Sequence, residues 1–120
     1  PLPSTLKQLL PQQLLAHCEP LSCTQETTLF LTGVRPEWMY FVCDGEVVLE
    51  RHGQNGEVAN LQRCQRGFVG EASLNSAAYH CDARTTSPSK IVRIPVRALR
   101  QALKEDFSFA ERWINMLSSE

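Results

Sequence analysis

Two glycines and a carboxylate stand close together in the middle of the chain, at a spacing that suits anion and sugar binding. Gly67 and Gly70 enclose the apolar pair Phe68–Val69, and Glu71 follows directly. A glycine lets the backbone approach a ligand closely, and a short turn after it can aim several N–H groups at an anion. The neighbouring carboxylate could accept hydrogen bonds from a sugar hydroxyl. The spacing is a weak signal by itself, so its meaning depends on the elements that position it.

Other residue types that support catalysis or metal binding are scattered along the chain. His17, His52 and His80 form no HxH or HExxH pattern, so the metal site of a cupin-type oxygenase is not visible. No GxSxG or cysteine–histidine arrangement indicates a nucleophile. The five cysteines have no CxxC pair among them; they are Cys18, Cys23, Cys43, Cys64 and Cys81. Because this spacing is unlike that of a disulfide framework or a zinc site, we expect the cysteines to be reduced and mostly buried. Cys18 and Cys23 alone also supply too few ligands for an iron–sulfur cluster.

The composition of the chain is that of a single globular domain. Of its 120 residues, 42% are hydrophobic and 21% are charged, and the formal net charge is −1. This balance gives no electrostatic footprint for nucleic acid or for an anionic membrane. No apolar run approaches the roughly 18 residues of a membrane-spanning helix, and the N-terminus lacks the layout of a signal peptide. We therefore expect a cytoplasmic protein with no membrane partner.

The hydrophobic period changes twice along the chain and so divides it into three parts. Helical spacing of leucines predicts short helices within residues 1–19. Residues 20–95 read as short strands and turns, at the spacing of an antiparallel sandwich or barrel. Within this part, Asp44–Gly45 predicts a hairpin between strands 38–43 and 46–50, and residues 52–56 predict a second turn. A further strand is predicted over residues 79–86.

Residues 96–120 predict two helices. Val96, Leu99 and Leu103 share one face of the first helix, and Asp106 is a suitable N-cap for the second. The second helix carries an apolar stripe at i, i+3, i+4 and i+7, formed by Ala110, Trp113, Ile114 and Leu117. The stripe continues to the end of the chain without a C-cap signal. We expect these four side chains to contact a second subunit.

Taken in order, the motifs resemble the sensor domain of the Crp/Fnr family of bacterial transcription regulators. The resemblance rests on Leu31–Gly33, Tyr40–Val47, Gly67–Glu71, Ile91–Pro95 and Ala98–Arg100. Each motif is weak alone, but their order and spacing together are fairly specific, and they cover nearly the whole chain.

The resemblance implies a mainly β fold with flanking helices. The expected core is an antiparallel β-roll or jelly roll (a double-stranded β-helix), of the kind found in cyclic-nucleotide-binding domains. In this view residues 1–19 are N-terminal helices, 20–95 the β-roll, and 96–120 the C-terminal helices, the last of which is the start of a long dimerisation helix. The family's helix-turn-helix would follow that helix.

The resemblance also implies a ligand site. Gly70 and Ala72 would offer backbone N–H groups to a phosphate, and Glu71 would accept a hydrogen bond from a ribose 2′-hydroxyl; alternatively, Glu71 bonds within its own loop. The family's phosphate-binding arginine and the serine or threonine after it fall on Tyr79 and His80 in this sequence. These two could line an altered pocket, or one could be core and the other surface. Arg84 falls in the middle of a strand, so it is not given the phosphate role. Leu61 completes the candidate set.

The function expected from this resemblance is effector sensing without catalysis. The effector would be cyclic AMP or another small molecule, and the protein would be a homodimer. Contacts with DNA and RNA polymerase would belong only to the full-length protein. Two alternatives stay open: a stand-alone or channel/kinase-type cyclic-nucleotide-binding module, and, more remotely, a cupin-like metalloenzyme.

Overall fold

The computed structural model describes residues 2–119 and confirms the mainly β fold class. Eight strands lie within these residues: β1 (Glu19–Cys23), β2 (Thr28–Phe30), β3 (Trp38–Asp44), β4 (Val47–His52), β5 (Val58–Cys64), β6 (Gly67–Val69), β7 (Asp82–Thr85) and β8 (Ser89–Pro95). The helices are α1 (Ser4–Leu9), α2 (Gln12–Leu15), α3 (Val96–Glu105) and α4 (Phe107–Ser118), and Glu71–Ser73 forms one 3₁₀ turn. The strands pair antiparallel in two four-stranded sheets, ordered β1-β8-β3-β6 and β2-β7-β4-β5.

The first sheet is the middle layer of the molecule. Strand β3 shows why, because its side chains are buried on both faces. Met39 and Phe41 face a core shared with the four helices, whereas Tyr40 and Val42 face the core between the two sheets. A strand buried on both faces reads as a continuous apolar run, as this one does. Each fully buried large side chain contributes about 1.5–3 kcal/mol, so β3 and its neighbours anchor both cores.

The hairpin predicted at Asp44–Gly45 is wrong, although a turn does lie there. Strand β3 pairs with β6 and β8, whereas β4 pairs with β5 and β7 in the other sheet. The turn therefore carries the chain from one sheet to the other. Gly45 has φ +100°, and a Cβ atom at this position would overlap Ser89 Oγ and lie 2.7 Å from the Pro88 carbonyl oxygen. The sequence signals the turn, but packing against residues 88–89 decides which sheet the chain enters next.

The second predicted turn does join two paired strands. Strands β4 and β5 run in register from Val47 opposite Cys64 to His52 opposite Val58, with one bulge between them. The amide of Gly53 donates a 2.8 Å hydrogen bond to the carbonyl of Glu57 and closes the loop. Strand β5 lies at the edge of its sheet, and most of its side chains are exposed.

Candidate functional site

The predicted anion-binding turn follows β6 directly. Gly70 has φ +93° and ψ 0°, a left-handed conformation that favours glycine. The 3₁₀ turn starts at Glu71, and the amide of Ser73 donates a 3.0 Å hydrogen bond to the carbonyl of Gly70. The first amides of a helical turn have no acceptor within the turn. The backbone geometry at residues 70–72 is thus suited to an anion.

The space beside this turn is occupied by two aromatic rings of the same chain. A Cβ atom on Gly70 would lie 3.6 Å from Phe30 Cε2 and 3.9 Å from Tyr79 Cε1. The rings of Phe30 and Tyr79 stack with their centroids 3.9 Å apart and their planes 10° apart. Both side chains are buried in the core between the sheets. The structure therefore brings Gly70 and Tyr79 together, and it adds Phe30, which the sequence reasoning missed.

Polar contacts hold Tyr79 in place as well. Its hydroxyl donates to the carbonyl of Trp38 and accepts a 3.4 Å hydrogen bond from the Trp38 amide. Its own amide donates to the carbonyl of Val34, and its carbonyl accepts from the amide of Gly33, both at 2.9 Å. Burial raises the pKa of the Tyr79 hydroxyl, which therefore stays protonated and keeps its hydrogen bond to the Trp38 carbonyl. Tyr79 is a well-anchored core side chain.

His80 lies at the surface beside Tyr79. Its Nε2 atom is 2.9 Å from Ser76 Oγ, and its backbone carbonyl accepts a 3.3 Å hydrogen bond from Arg51 Nη2. Tyr79 and His80 both precede β7, so the strand predicted over residues 79–86 begins three residues later, at Asp82. The backbone of Tyr79 bonds to the loop residues Gly33 and Val34. Tyr79 thus lies in the core and His80 at the surface, which is one of the two alternatives stated above. Whether either side chain contacts a ligand stays a prediction.

The remaining candidate residues are spread over two elements. Glu71 is half-buried and Ala72 is exposed, both at the start of the 3₁₀ turn. Leu61 is exposed and occupies the bulge of edge strand β5, in the sheet that does not contain β6. The structure thus groups Gly70, Glu71 and Ala72 in one turn and places Leu61 on a different sheet. The ligand-binding roles of these four residues stay predictions.

Arg84 is held by carboxylates of the same chain. Its Nε and Nη2 atoms donate to the two carboxylate oxygens of Glu50 at 2.8 and 3.0 Å, and its Nη1 donates to Glu26 at 3.0 Å. Glu50 is only 5% exposed, yet its pKa lies below the usual range because the hydrogen bonds from Arg84 outweigh the effect of burial. A guanidinium that is already paired with two carboxylates is a poor phosphate ligand. That Arg84 has no phosphate role stays a prediction.

The cysteines are less buried than expected. All five are free thiols; Cys64 is buried, whereas Cys18, Cys23, Cys43 and Cys81 are partly exposed. Burial nevertheless raises the pKa of Cys18 to about 11, which suppresses its reactive thiolate at neutral pH. Within residues 2–119 no group of three or more His, Cys, Asp or Glu side chains is arranged to hold a metal ion. No helix in this part of the chain has the length and apolar character needed to cross a bilayer.

Helix α4 carries two apolar faces rather than the single stripe predicted. Asp106 caps it as predicted, accepting a 3.0 Å hydrogen bond from the Phe109 amide. One face consists of Phe109, Trp113 and Met116, and it packs into the core of this chain. The other face, which we call the outer stripe, consists of Phe107, Ala110, Ile114 and Leu117 at i, i+3, i+7 and i+10.

The predicted dimer contact of Trp113 therefore needs correction. Its ring is buried between the rings of Phe68 and Phe109, at centroid distances of 5.2 and 6.0 Å. The predicted set mixes residues of the two faces, because positions 113 and 114 are adjacent in sequence but point in different directions. In the outer stripe, Phe107 is 78%, Ile114 60% and Leu117 38% exposed. Phe107 could have been found from its spacing of seven residues to Ile114.

Comparisons with known proteins agree with this architecture. The family described as the cyclic nucleotide-binding domain matches residues 20–106. No curated protein matches the chain in a sequence comparison.

Three solved structures illustrate the likeness in fold. The sensor domain of the transcriptional regulator DNR from Pseudomonas aeruginosa superposes with a TM-score of 0.81 at 22% identity, over 95% of this chain and 80% of that one. A candidate cAMP-binding regulatory protein from Silicibacter pomeroyi DSS-3 gives 0.79 at 27% identity, over 95% of this chain and 57% of that one. The catabolite activator protein of Thermus thermophilus gives a TM-score of 0.75 at 18% identity, over 95% of this chain and 56% of that one.

These matches confirm the expected β-roll followed by helices, and the expected resemblance to regulator sensor domains. This chain spans slightly more than half the length of the second and third proteins.

Proposed function

Because the chain belongs to the cyclic nucleotide-binding domain family, we propose that it is the effector-sensing regulatory domain of a Crp/Fnr-type transcription regulator. The proposal is supported by the likeness in fold to the sensor domain of DNR and to a catabolite activator protein. In this role the chain binds a small effector and catalyses no reaction. Contacts with DNA and RNA polymerase then belong to other parts of a full-length cytoplasmic protein.

The outer stripe of α4 is the observation that carries the proposal. Its spacing is that of the a and d positions of a heptad, the pattern by which two helices pack along a seam. Large side chains such as Phe107 and Ile114 stand mostly exposed in the single chain, and a contiguous apolar surface of this kind marks an interaction site. We infer that a second copy covers the stripe in a homodimer, with Ala110, Ile114 and Leu117 at its centre.

A short aromatic path joins the candidate effector turn to this helix. Gly70 follows β6, whose Phe68 ring meets the Trp113 ring edge-on at 5.2 Å. Trp113 sits on the inner face of α4, next to Ile114 of the outer stripe. A shift of the Gly70 turn is therefore transmitted through Phe68 and Trp113 to the dimer seam. A densely packed core passes on such a shift because it leaves little room for local accommodation.

The dimer is tested by sedimentation of the chain and of matched variants. We expect the unmodified chain to be a dimer, and Ile114→Glu with Leu117→Glu to be a monomer, because a carboxylate buried in an apolar seam is strongly unfavourable. Asn115→Glu adds the same type of charge at an exposed position off the stripe and should remain dimeric. A monomeric unmodified chain, or a dimeric double variant, would contradict the proposed seam.

The sensing role needs a second measurement. A thermal-shift screen against cyclic nucleotides and other small metabolites should find a ligand that raises the melting temperature. The same ligand should change the dissociation constant of the dimer, and Trp113→Leu should weaken that coupling. If no cyclic nucleotide or metabolite changes the melting temperature, the sensing role is wrong even where the dimer is found.

A further inference from the structure

A groove beside α3 has four basic side chains among the residues that line it. It has a volume of about 940 Å³ and lies between the loop of Arg35–Glu37, the loop of residues 74–77 and the helix. The buried side chains of Pro36, Leu74 and Val96 form its apolar floor. The amide of Val96 donates a 3.0 Å hydrogen bond to the carbonyl of Glu37, which ties one wall to the start of α3. The groove is therefore built from packed elements.

Positive charge is concentrated along this groove. Arg97, Arg100 and Lys104 follow one another at i, i+3 and i+7, so they form a row along one face of α3. Arg35 lies on the loop wall, and Glu37 is the only carboxylate among the described residues that line the groove. This local excess of positive charge stands in a chain whose net charge is −1. A concave surface with one sign of charge concentrates ligands of the opposite sign.

The cations of the groove differ from three of the six arginines elsewhere on the chain. Arg63, Arg84 and Arg93 each form an ion pair with a carboxylate. By contrast, the four cations of the groove are exposed and form no ion pair with any other residue in the range 2–119.

This arrangement does not serve the fold. Like charges three and four residues apart on a helix are destabilising, and the side chains concerned leave their hydrogen-bonding groups to solvent. They are therefore available to a partner.

We propose that this groove binds an acidic segment of another protein in an extended conformation. Aspartate or glutamate side chains would pair with Arg97, Arg100 and Arg35, and apolar side chains between them would rest on Leu74 and Val96. The row on α3 spans roughly 10 Å at about 1.5 Å per residue, which matches about three residues of extended peptide. Guanidinium groups favour carboxylates because they can donate two parallel hydrogen bonds.

A peptide suits the groove better than nucleic acid does. The cations line a recess with an apolar floor, whereas a duplex needs an open basic face that follows its phosphates. The net charge of the chain is also slightly negative. The inference concerns a different surface from the effector turn and the outer stripe, and it depends on neither.

Fluorescence anisotropy with a short fluorescein-labelled peptide that alternates aspartate and leucine tests the proposal. We expect the unmodified chain to bind it and Arg100→Glu to bind it at least about tenfold more weakly, the effect of losing one charge-assisted hydrogen bond. Arg97→Glu should weaken binding similarly and gives an independent measurement. Arg66→Glu is the matched control: Arg66 is exposed, lies outside the groove and belongs to no ion pair among the described residues. The affinity of Arg66→Glu for the peptide should stay within about twofold of that of the unmodified chain.

Four outcomes would overturn the proposal. The first is no binding of the aspartate peptide to the unmodified chain. The second is an equal loss for Arg66→Glu and Arg100→Glu, which would reflect net charge alone. The third is equal binding of a peptide with asparagine in place of aspartate. The fourth is competition by duplex DNA that is tighter than the peptide and is lost in Arg100→Glu, which would make the groove a nucleic-acid surface.

Discussion

Tyr79 fills the space beside the Gly70–Ala72 turn, where we propose that an effector binds. Its ring stacks on Phe30 beside Gly70, and its hydroxyl is bonded to the backbone of Trp38. Where relatives of the Crp/Fnr type are expected to place an arginine for a cyclic phosphate, this chain has a buried, hydrogen-bonded phenol. An anion that enters beside Gly70 has to displace an aromatic ring, and neither Tyr79 nor His80 supplies a guanidinium. The nearby Arg51 guanidinium is bonded to the His80 carbonyl.

Cyclic AMP should therefore bind the unmodified chain weakly or not at all. A charge-assisted hydrogen bond contributes about 1.5–3 kcal/mol, so the absence of the arginine lowers affinity by about one to two orders of magnitude. Tyr79→Arg combined with His80→Ser should raise the affinity above that of the unmodified chain, provided the Gly70–Ala72 turn stays intact. Isothermal titration calorimetry on both proteins measures the difference.

Two results would count against this expectation. Tight binding of cyclic AMP by the unmodified chain would mean that Tyr79 and His80 have not replaced the phosphate site. An unchanged affinity in the double variant would mean that the pocket has diverged beyond that pair. Phe30→Ala added to the double variant then tests whether the second ring also fills the space.

Glu50 makes the stability of the second sheet depend on pH. Hydrogen bonds from Arg84 lower the pKa of its carboxyl, against the opposing effect of burial. Such a carboxyl stabilises the fold at pH values above its usual pKa of about 4.3. This stabilisation is lost as the pH falls through the lowered pKa of the folded state. We expect Glu50→Gln to cost about 1–2 kcal/mol at pH 7, because Glu26 still pairs with Arg84. The difference in the free energy of unfolding between Glu50→Gln and the unmodified chain should shrink below about pH 4.

Thermal melting across the acid range checks the dependence. Glu111→Gln makes the same chemical change at an exposed position on α4 with no ion pair among residues 2–119, so it should alter stability little at any pH. A deficit of Glu50→Gln that stays constant from pH 7 to about pH 3 would show that packing, and not the charge, is responsible.

Among the secondary-structure elements, the crossing between the two sheets depends on Gly45. The turn is pressed against residues 88–89, and the amide of Glu46 donates a 3.1 Å hydrogen bond to Ser89 Oγ. Helix α4 shows the same dependence on neighbours, because its inner face is fixed by Phe68 of β6 while its outer stripe stays uncovered. In both cases an element's role is set by what packs against it.

Gly45→Ala should destabilise the fold by about 2–4 kcal/mol. The methyl group would overlap the backbone and side chain of residues 88–89 in addition to straining a left-handed backbone. Gly56→Ala is the matched control, since Gly56 has φ +84° but a Cβ atom added there would meet no atom within 4 Å. It should cost only about 1–2 kcal/mol. Urea denaturation compares the two variants. Equal losses in the free energy of unfolding would show that residues 88–89 move aside at little energetic cost.

For the chain in its entirety, we expect no sequence-specific binding to duplex DNA. The chain has a net charge of −1, and its described residues form one β-roll with flanking helices. The two helix pairs within residues 2–119, α1–α2 and α3–α4, pack apolar side chains into the core of this chain, and the basic groove is a recess. A gel-shift assay at about 0.15 M salt should show no retarded band that depends on DNA sequence. A band that survives competition by unrelated duplex would contradict this expectation.

Local sequence patterns predicted an antiparallel sandwich or barrel between helical ends, and the resemblance to Crp/Fnr sensor domains narrowed this to a β-roll. Period-two runs bounded by turn residues predicted the strands, and helical spacing with Asp106 as a cap predicted the last helix, because these patterns reflect local geometry. The Gly67–Glu71 turn was found the same way, since the left-handed Gly70 is a local requirement.

Which elements face each other was settled by packing between distant parts of the chain. Packing sent β4 to the opposite sheet from β3, placed the Tyr79 ring against Phe30 beside Gly70, and turned Trp113 inward while leaving Ile114 exposed. It also brought Arg35 across from α3 to form the basic groove. Each of these depends on contacts between residues far apart in the chain, and local patterns do not encode such contacts because many partners satisfy the same hydrophobic period.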